Sequence, residues 1–185
     1  MAAKQLLVLV ASHRKDGETA LLVRQALSAA RLGKQVKAKV LELADFKVDF
    51  CRGCLYYCEA NPLQCSIEDD DVMALFDWLR QADGLLVATP LYLPLPSKLI
   101  ALAERLVSMC HTARQYPLEG KPCGLLEKTG SAPGLPIRAL MDILLPLRLE
   151  PVTTPAWPFL GCVCRGETAQ QTAADYIKKM AQTIK

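Results

Sequence analysis

Residues Lys4 to Leu22 read KQLLVLVASHRKDGETALL. The run Leu6-Leu7-Val8-Leu9-Val10 is short, aliphatic and unbroken by polar residues. A strand with one face in water alternates, whereas a parallel strand covered on both faces does not. The run therefore reads as a doubly buried strand. It stops at Ala11-Ser12, and an amphipathic helix starts near Thr19. The first N–H groups of a helix have no intrahelical acceptor, and the helix dipole adds partial positive charge beside them. Such an end attracts anions. The loop adds hydroxyls at Ser12 and Thr19, a guanidinium at Arg14, and Gly17, where a positive φ is expected. These are the parts of a phosphate-monoester site.

Two familiar nucleotide loops are excluded. The chain has no GxxxxGK[ST], and no GxGxxG follows the strand. With 185 residues, 51% hydrophobic and 22% charged, the chain is expected to form one domain over 1–185 with a full core. A formal net charge of +3 without a basic run points away from nucleic acid. No apolar stretch is long enough to span a membrane, and no secretory leader is evident, so a cytoplasmic protein is expected. Eight cysteines in such a chain read as free thiols or metal ligands before disulfides.

Working outward, Thr19 to Arg31 has helical apolar spacing, with Gly33 as the expected C-cap. Val36 to Leu43 alternates apolar and charged residues, as an edge strand does. A long connection without regular structure, Phe46 to Glu68, leads to Asp69-Asp70-Asp71 and a helix over Val72 to Gln81. Leu85 to Thr89 is a second buried strand, and Leu99 to Met109 a helix. Gly120 to Lys128 is a third apolar run, followed by a helix over Leu135 to Leu147. Leu149 to Pro155 reads as the last strand and Glu167 to Thr183 as the last helix. Alternating strands and helices predict an α/β fold: a doubly wound five-stranded parallel sheet of the flavodoxin-like kind, with helices on both faces. Ligands then bind at the carboxyl ends of the strands, where loops 12–19, 89–97 and 129–134 fall.

Ala11-Ser12-His13-Arg14-Lys15-Asp16-Gly17-Glu18-Thr19 resembles the phosphate loop of the NADPH-dependent FMN reductase family, G-S-P-R-x-x-G-N-T. Ala11 replaces Gly, His13 replaces Pro and Glu18 replaces Asn. Thr89-Pro90-Leu91-Tyr92 resembles that family's S/T-P-x-Y loop, which lines the flavin ring, and Thr129-Gly130-Ser131 stands where it has a glycine-rich turn. The resemblance runs from about Leu6 to Gly161. It implies an oxidoreductase in which Ser12, Arg14, Gly17, Glu18 and Thr19 surround the FMN phosphate. Thr89, Pro90, Leu91, Tyr92, Thr129, Gly130 and Ser131 would surround the ring. It also implies NAD(P)H as co-substrate, a small-molecule acceptor such as a quinone, flavin or metal centre, and a homodimer or higher homo-oligomer. No catalytic side chain is required, because the cofactor carries the chemistry.

Cys51-x2-Cys54-x3-Cys58-x6-Cys65 is the other constellation. Four thiolates at such spacing can hold zinc or a [4Fe-4S] cluster, or remain structural or redox-active thiols. The loop resembles that of the iron–sulfur flavoprotein branch, whose pattern is C-x2-C-x2-C with a later cysteine. The extra residue before Cys58 is expected to spoil cubane geometry, leaving the loop to shape the flavin's surroundings with Tyr56 and Tyr57 as apolar cover. Cys110 and Cys123 read as core, Trp78 as part of a core stripe, and Cys162-x-Cys164 as uninformative. His13 and His111, the only histidines, lie in no triad-like spacing. The rival readings are an iron–sulfur flavoprotein electron carrier and a flavodoxin-like scaffold that has lost flavin.

Overall fold

The computed structural model describes residues 2–92, 95–128, 138–139, 142, 144–153, 162–164 and 166–184. The first strand, β1 (Lys4–Val10), has Leu6, Val8 and Val10 packed in one core layer and Leu7 and Leu9 in the other. This is why its sequence does not alternate: helices cover both faces. Burying each such side chain stabilises the fold by roughly 1.5–3 kcal/mol before entropy is counted. β1 pairs in parallel with β2 (Val36–Glu42) on one side and β3 (Gly84–Pro90) on the other. β3 pairs in parallel with β4 (Pro122–Lys128). β2 is the half-exposed edge that its alternating pattern predicts.

With β5 (Glu150–Pro151) in the last position, the sheet order β2-β1-β3-β4-β5 is the flavodoxin-like 2-1-3-4-5 order. Its last position is divided, where a single strand over Leu149 to Pro155 is expected. β5 (Glu150–Pro151) pairs with Pro122 and Cys123, and β6 (Cys162–Cys164) pairs with Leu126 to Lys128. Between them the Tyr176 hydroxyl accepts the Leu125 N–H at 3.1 Å and donates to the Val152 carbonyl. A buried hydroxyl thus satisfies the Leu125 N–H and the Val152 carbonyl. The Cys-x-Cys motif is this edge segment, with Cys164 fully buried.

Helix α1 (Glu18–Ala30) and the last helix, residues Ala169–Thr183, cover one face. α1 ends at Arg31, whose φ of +46° is left-handed, so Gly33 is not its cap. The connection after β2 contains a short helix, α2 (Leu55–Ala60), where no regular structure was expected. Helix α3 (Val72–Gln81) and helix α4 (Ser97–Ala113) cover the other face. α4 is longer at both ends than its apolar stripe, and the last helix is α5. Trp78 is not core: it is 37% exposed, with the Lys39 ammonium over its ring. Residues 138, 139, 142 and 144 are helical, and the rest of the expected Leu135–Leu147 helix up to Ile143 lies outside the described residues. Among the described residues no helix is long and apolar enough to cross a membrane.

Candidate functional site

Strand order reverses between β1 and β3, and the loops that leave their carboxyl ends stand where a doubly wound fold places its ligand. The two loops start side by side, since the Ala11 N–H donates to the Ala88 carbonyl at 2.7 Å. In the first loop Ser12 Oγ accepts the Arg14 N–H at 3.1 Å, turning the chain toward α1. The first intrahelical bond of α1 runs from the Leu21 N–H to the Gly17 carbonyl. The N–H groups of Glu18, Thr19 and Ala20 therefore precede the helical ladder, at the helix end where negative charge is favoured. Ser12 and Thr19 lie at the base of this loop, 4% and 3% exposed.

Gly17 has φ of −72°, so the positive φ expected there is absent and falls instead on Asp16 at +52°. Space is tight at Gly17: an added Cβ would lie 3.2 Å from the Arg14 carbonyl oxygen, so the loop would have to give by a few tenths of an ångström. Among the described residues the loop's other cations are paired. Lys15 meets Asp45 at 2.7 Å, and Arg24 meets Asp16 at 2.9 Å and Glu42 at 2.6 Å. Arg14 is exposed and has no ion-pair partner among them. Glu18, the carboxylate that could repel an anion, is turned to solvent, 77% exposed and 4.0 Å from Lys128.

In the second loop Thr89 is fully buried and its hydroxyl donates to the Pro90 carbonyl at 3.0 Å. Pro90, Leu91 and Tyr92 are half-buried. The Tyr92 ring stacks on His13, centroids 5.3 Å apart and planes 15° from parallel. His13 Nε2 also lies 3.3 Å from Ser97 Oγ at the start of α4. Thr129, Gly130, Ser131 and Trp157 lie outside the described residues.

The four loop cysteines share one neighbourhood without converging on one point. Burial pushes the Cys58 thiol up, and nearby Cys54, Cys65 and Cys51 push it the same way. Yet Cys51 Sγ faces Ser108 Oγ at 3.8 Å, Cys54 Sγ faces Ser66 Oγ at 3.0 Å, and Cys65 Sγ accepts from Arg105 Nη2 at 3.2 Å. Among the described residues no group of three or more such side chains is arranged to hold a metal ion. As folded, this donor set does not fit a cluster. Tyr56 is 90% exposed and Tyr57 half-buried. Cys110 and Cys123 are core residues as expected, their thiols pushed up by burial to about 11 and about 12.

The loop is built around a residue that sequence reading passed over. Arg105, 1% exposed, reaches from α4 to Asp70, the carbonyls of Asp49 and Ile67 at 3.4 and 3.3 Å, and Cys65. Asp70 also accepts the N–H groups of Asp49 at 2.9 Å and Val72 at 3.2 Å, the latter at the start of α3. Burial raises the Asp70 pKa, but Arg105 and these N–H groups outweigh it and hold the carboxyl below its ordinary 3.8. The signal was present: Arg105 falls on the apolar stripe Leu99-Leu102-Leu106-Met109 of α4, where a solvated arginine does not belong. Nearby, Lys98 Nζ donates to the Phe46 carbonyl at 2.8 Å and anchors the start of the same loop.

The strand order and the helices on both faces define a flavodoxin-like fold. The chain belongs to the NADPH-dependent FMN reductase family, whose model matches residues 5–159. An iron–sulfur flavoprotein of Methanocaldococcus jannaschii is 35% identical over 81 residues, 44% of this chain and 40% of that protein. The match thus spans less than half of that relative's length. The FerB flavoenzyme NAD(P)H:(acceptor) oxidoreductase of Paracoccus denitrificans superposes with a TM-score of 0.69 at 18% identity, over 98% of this chain and 97% of FerB. A flavodoxin, WrbA-like protein of Agrobacterium tumefaciens superposes at 0.62 and 14% identity, over 98% of both chains.

Proposed function

We propose that this protein binds FMN across the loops after β1 and β3 and oxidises NAD(P)H, delivering the electrons to a small-molecule acceptor such as a quinone, flavin or metal centre. One observation supports the reading: the loop that starts α1 carries N–H groups ahead of the helical ladder, the buried hydroxyls of Ser12 and Thr19, and an exposed Arg14 with no ion-pair partner among the described residues, and its His13 stacks on Tyr92 of the next loop. This donor set fits a dianionic phosphate. Bound FMN supplies hydride and electron transfer. The protein's part is binding and orientation: the α1 N–H groups, Ser12, Thr19 and Arg14 hold the phosphate. Main-chain groups of Thr89 to Tyr92 and the Tyr92 ring hold the flavin edge and face. In this reading the working unit is a homodimer or higher homo-oligomer, which light scattering checks.

The visible absorption spectrum of the purified protein, before and after acid precipitation, is the decisive experiment. A flavin spectrum that moves to the supernatant on precipitation, with NAD(P)H oxidised by the loaded protein when a quinone or flavin is added, is the expected result. Colourless protein that takes up no added FMN replaces this reading with the scaffold that has lost flavin.

Because Glu18 points outward, Glu18→Asn is expected to leave FMN affinity equal or slightly tighter. Clearly weaker binding in a fluorescence titration would give Glu18 a positive role. The cysteine loop is read as structural or redox-active thiols. Iron analysis of protein prepared without oxygen tests this. About four irons per chain, lost in Cys58→Ser, would favour the iron–sulfur electron carrier instead.

A further inference from the structure

His13 stands in the first loop where the resembling family motif has proline, and its side chain reaches both ends of the second loop. It stacks on Tyr92 at one end and meets Ser97 Oγ, 3.3 Å away, at the other. Three residues of the second loop's sequence, Pro90, Pro94 and Pro96, supply no N–H. A loop so poor in donors takes its shape from what packs against it.

We propose that His13 is a positioning residue that ties the two loops together and sets the plane of the Tyr92 ring against the flavin. The inference rests on the FMN reading above. His13 acts through Tyr92 and Ser97 and does not itself hold the phosphate, which is left to Arg14, Ser12 and the α1 N–H groups. FMN and riboflavin therefore depend on it equally, because they share the ring and differ in the phosphate.

The test titrates FMN and riboflavin into wild type, His13→Ala, His13→Phe and His13→Asn, and records the circular dichroism that the bound flavin acquires. His13 is exposed, so the core is untouched, and equal thermal midpoints verify that each variant folds. His13→Ala is expected to raise both dissociation constants by the same factor, roughly two- to tenfold as for loss of a stacked aromatic pair, and to change the flavin dichroism. His13→Phe, which keeps the stack, restores most of both; His13→Asn, which keeps a polar atom without an aromatic face, does not. A loss confined to FMN overturns the proposal and makes His13 a phosphate cation. Unchanged affinities in His13→Ala also overturn it. Wild type that binds neither flavin fails the FMN reading itself and this inference with it.

Discussion

Arg105→Leu is expected to destabilise the folded protein by about 3–5 kcal/mol, as when one partner is stripped from a buried ion pair. The pair has no solvent to fall back on: both side chains of Arg105 and Asp70 are fully buried. Leucine matches the apolar stripe of α4 but leaves the Asp70 carboxylate without its counter-charge and the Asp49 and Ile67 carbonyls without a donor. At this size each kcal/mol lowers Tm by about 2–4 °C, so calorimetry reads the effect directly. The companion variant Arg105→Leu/Asp70→Asn should recover much of the loss, because it removes the stranded charge. A single variant within about 1 kcal/mol of wild type would show that the cysteine loop is held by something else. Acid gives an independent check. Asp70 has a depressed pKa, so its stabilisation is complete above its unfolded value near 3.8 and fades as pH falls through the lower folded value. The difference between wild type and Arg105→Leu should therefore be largest near neutrality and shrink as the solution is made acid and the stranded Asp70 carboxyl takes up a proton.

Arg14→Ala is expected to weaken FMN binding by roughly ten- to a hundredfold. That corresponds to a charge-assisted hydrogen bond of about 1.5–3 kcal/mol. The effect should be specific to the phosphate, leaving riboflavin affinity near wild type, and should shrink as salt screens the exposed guanidinium. Among the described residues Lys15 and Arg24 are held by Asp45, Asp16 and Glu42, so neither is free to replace Arg14. Equal FMN affinity in wild type and variant would remove the loop after β1 from the phosphate site.

What the sequence determined by itself is local. An unbroken aliphatic run with helical spacing behind it specifies a doubly covered parallel strand, and repeating that pair specifies the sheet. The positions of the first two loops follow, because loops at carboxyl ends of parallel strands must sit together. Chemical type was legible too: Ser12, Arg14 and Thr19 at a helix start favour an anion however the rest packs. Tertiary structure decided everything that depends on which distant residues meet. What constrains Gly17 is the nearness of the Arg14 carbonyl, not a backbone angle. Trp78 has helical core spacing yet lies at the boundary under Lys39. Tyr176 of α5 reaches into the sheet between β4 and Val152, a contact no local pattern announces. Arg105 and Asp70 are thirty-five positions apart, and neither spacing nor propensity reports that one neutralises the other. The stack of His13 on Tyr92 is of the same kind. Periodicity is set by a residue's near neighbours, whereas burial of charge and contact between loops are set by chain closure, which no local pattern encodes.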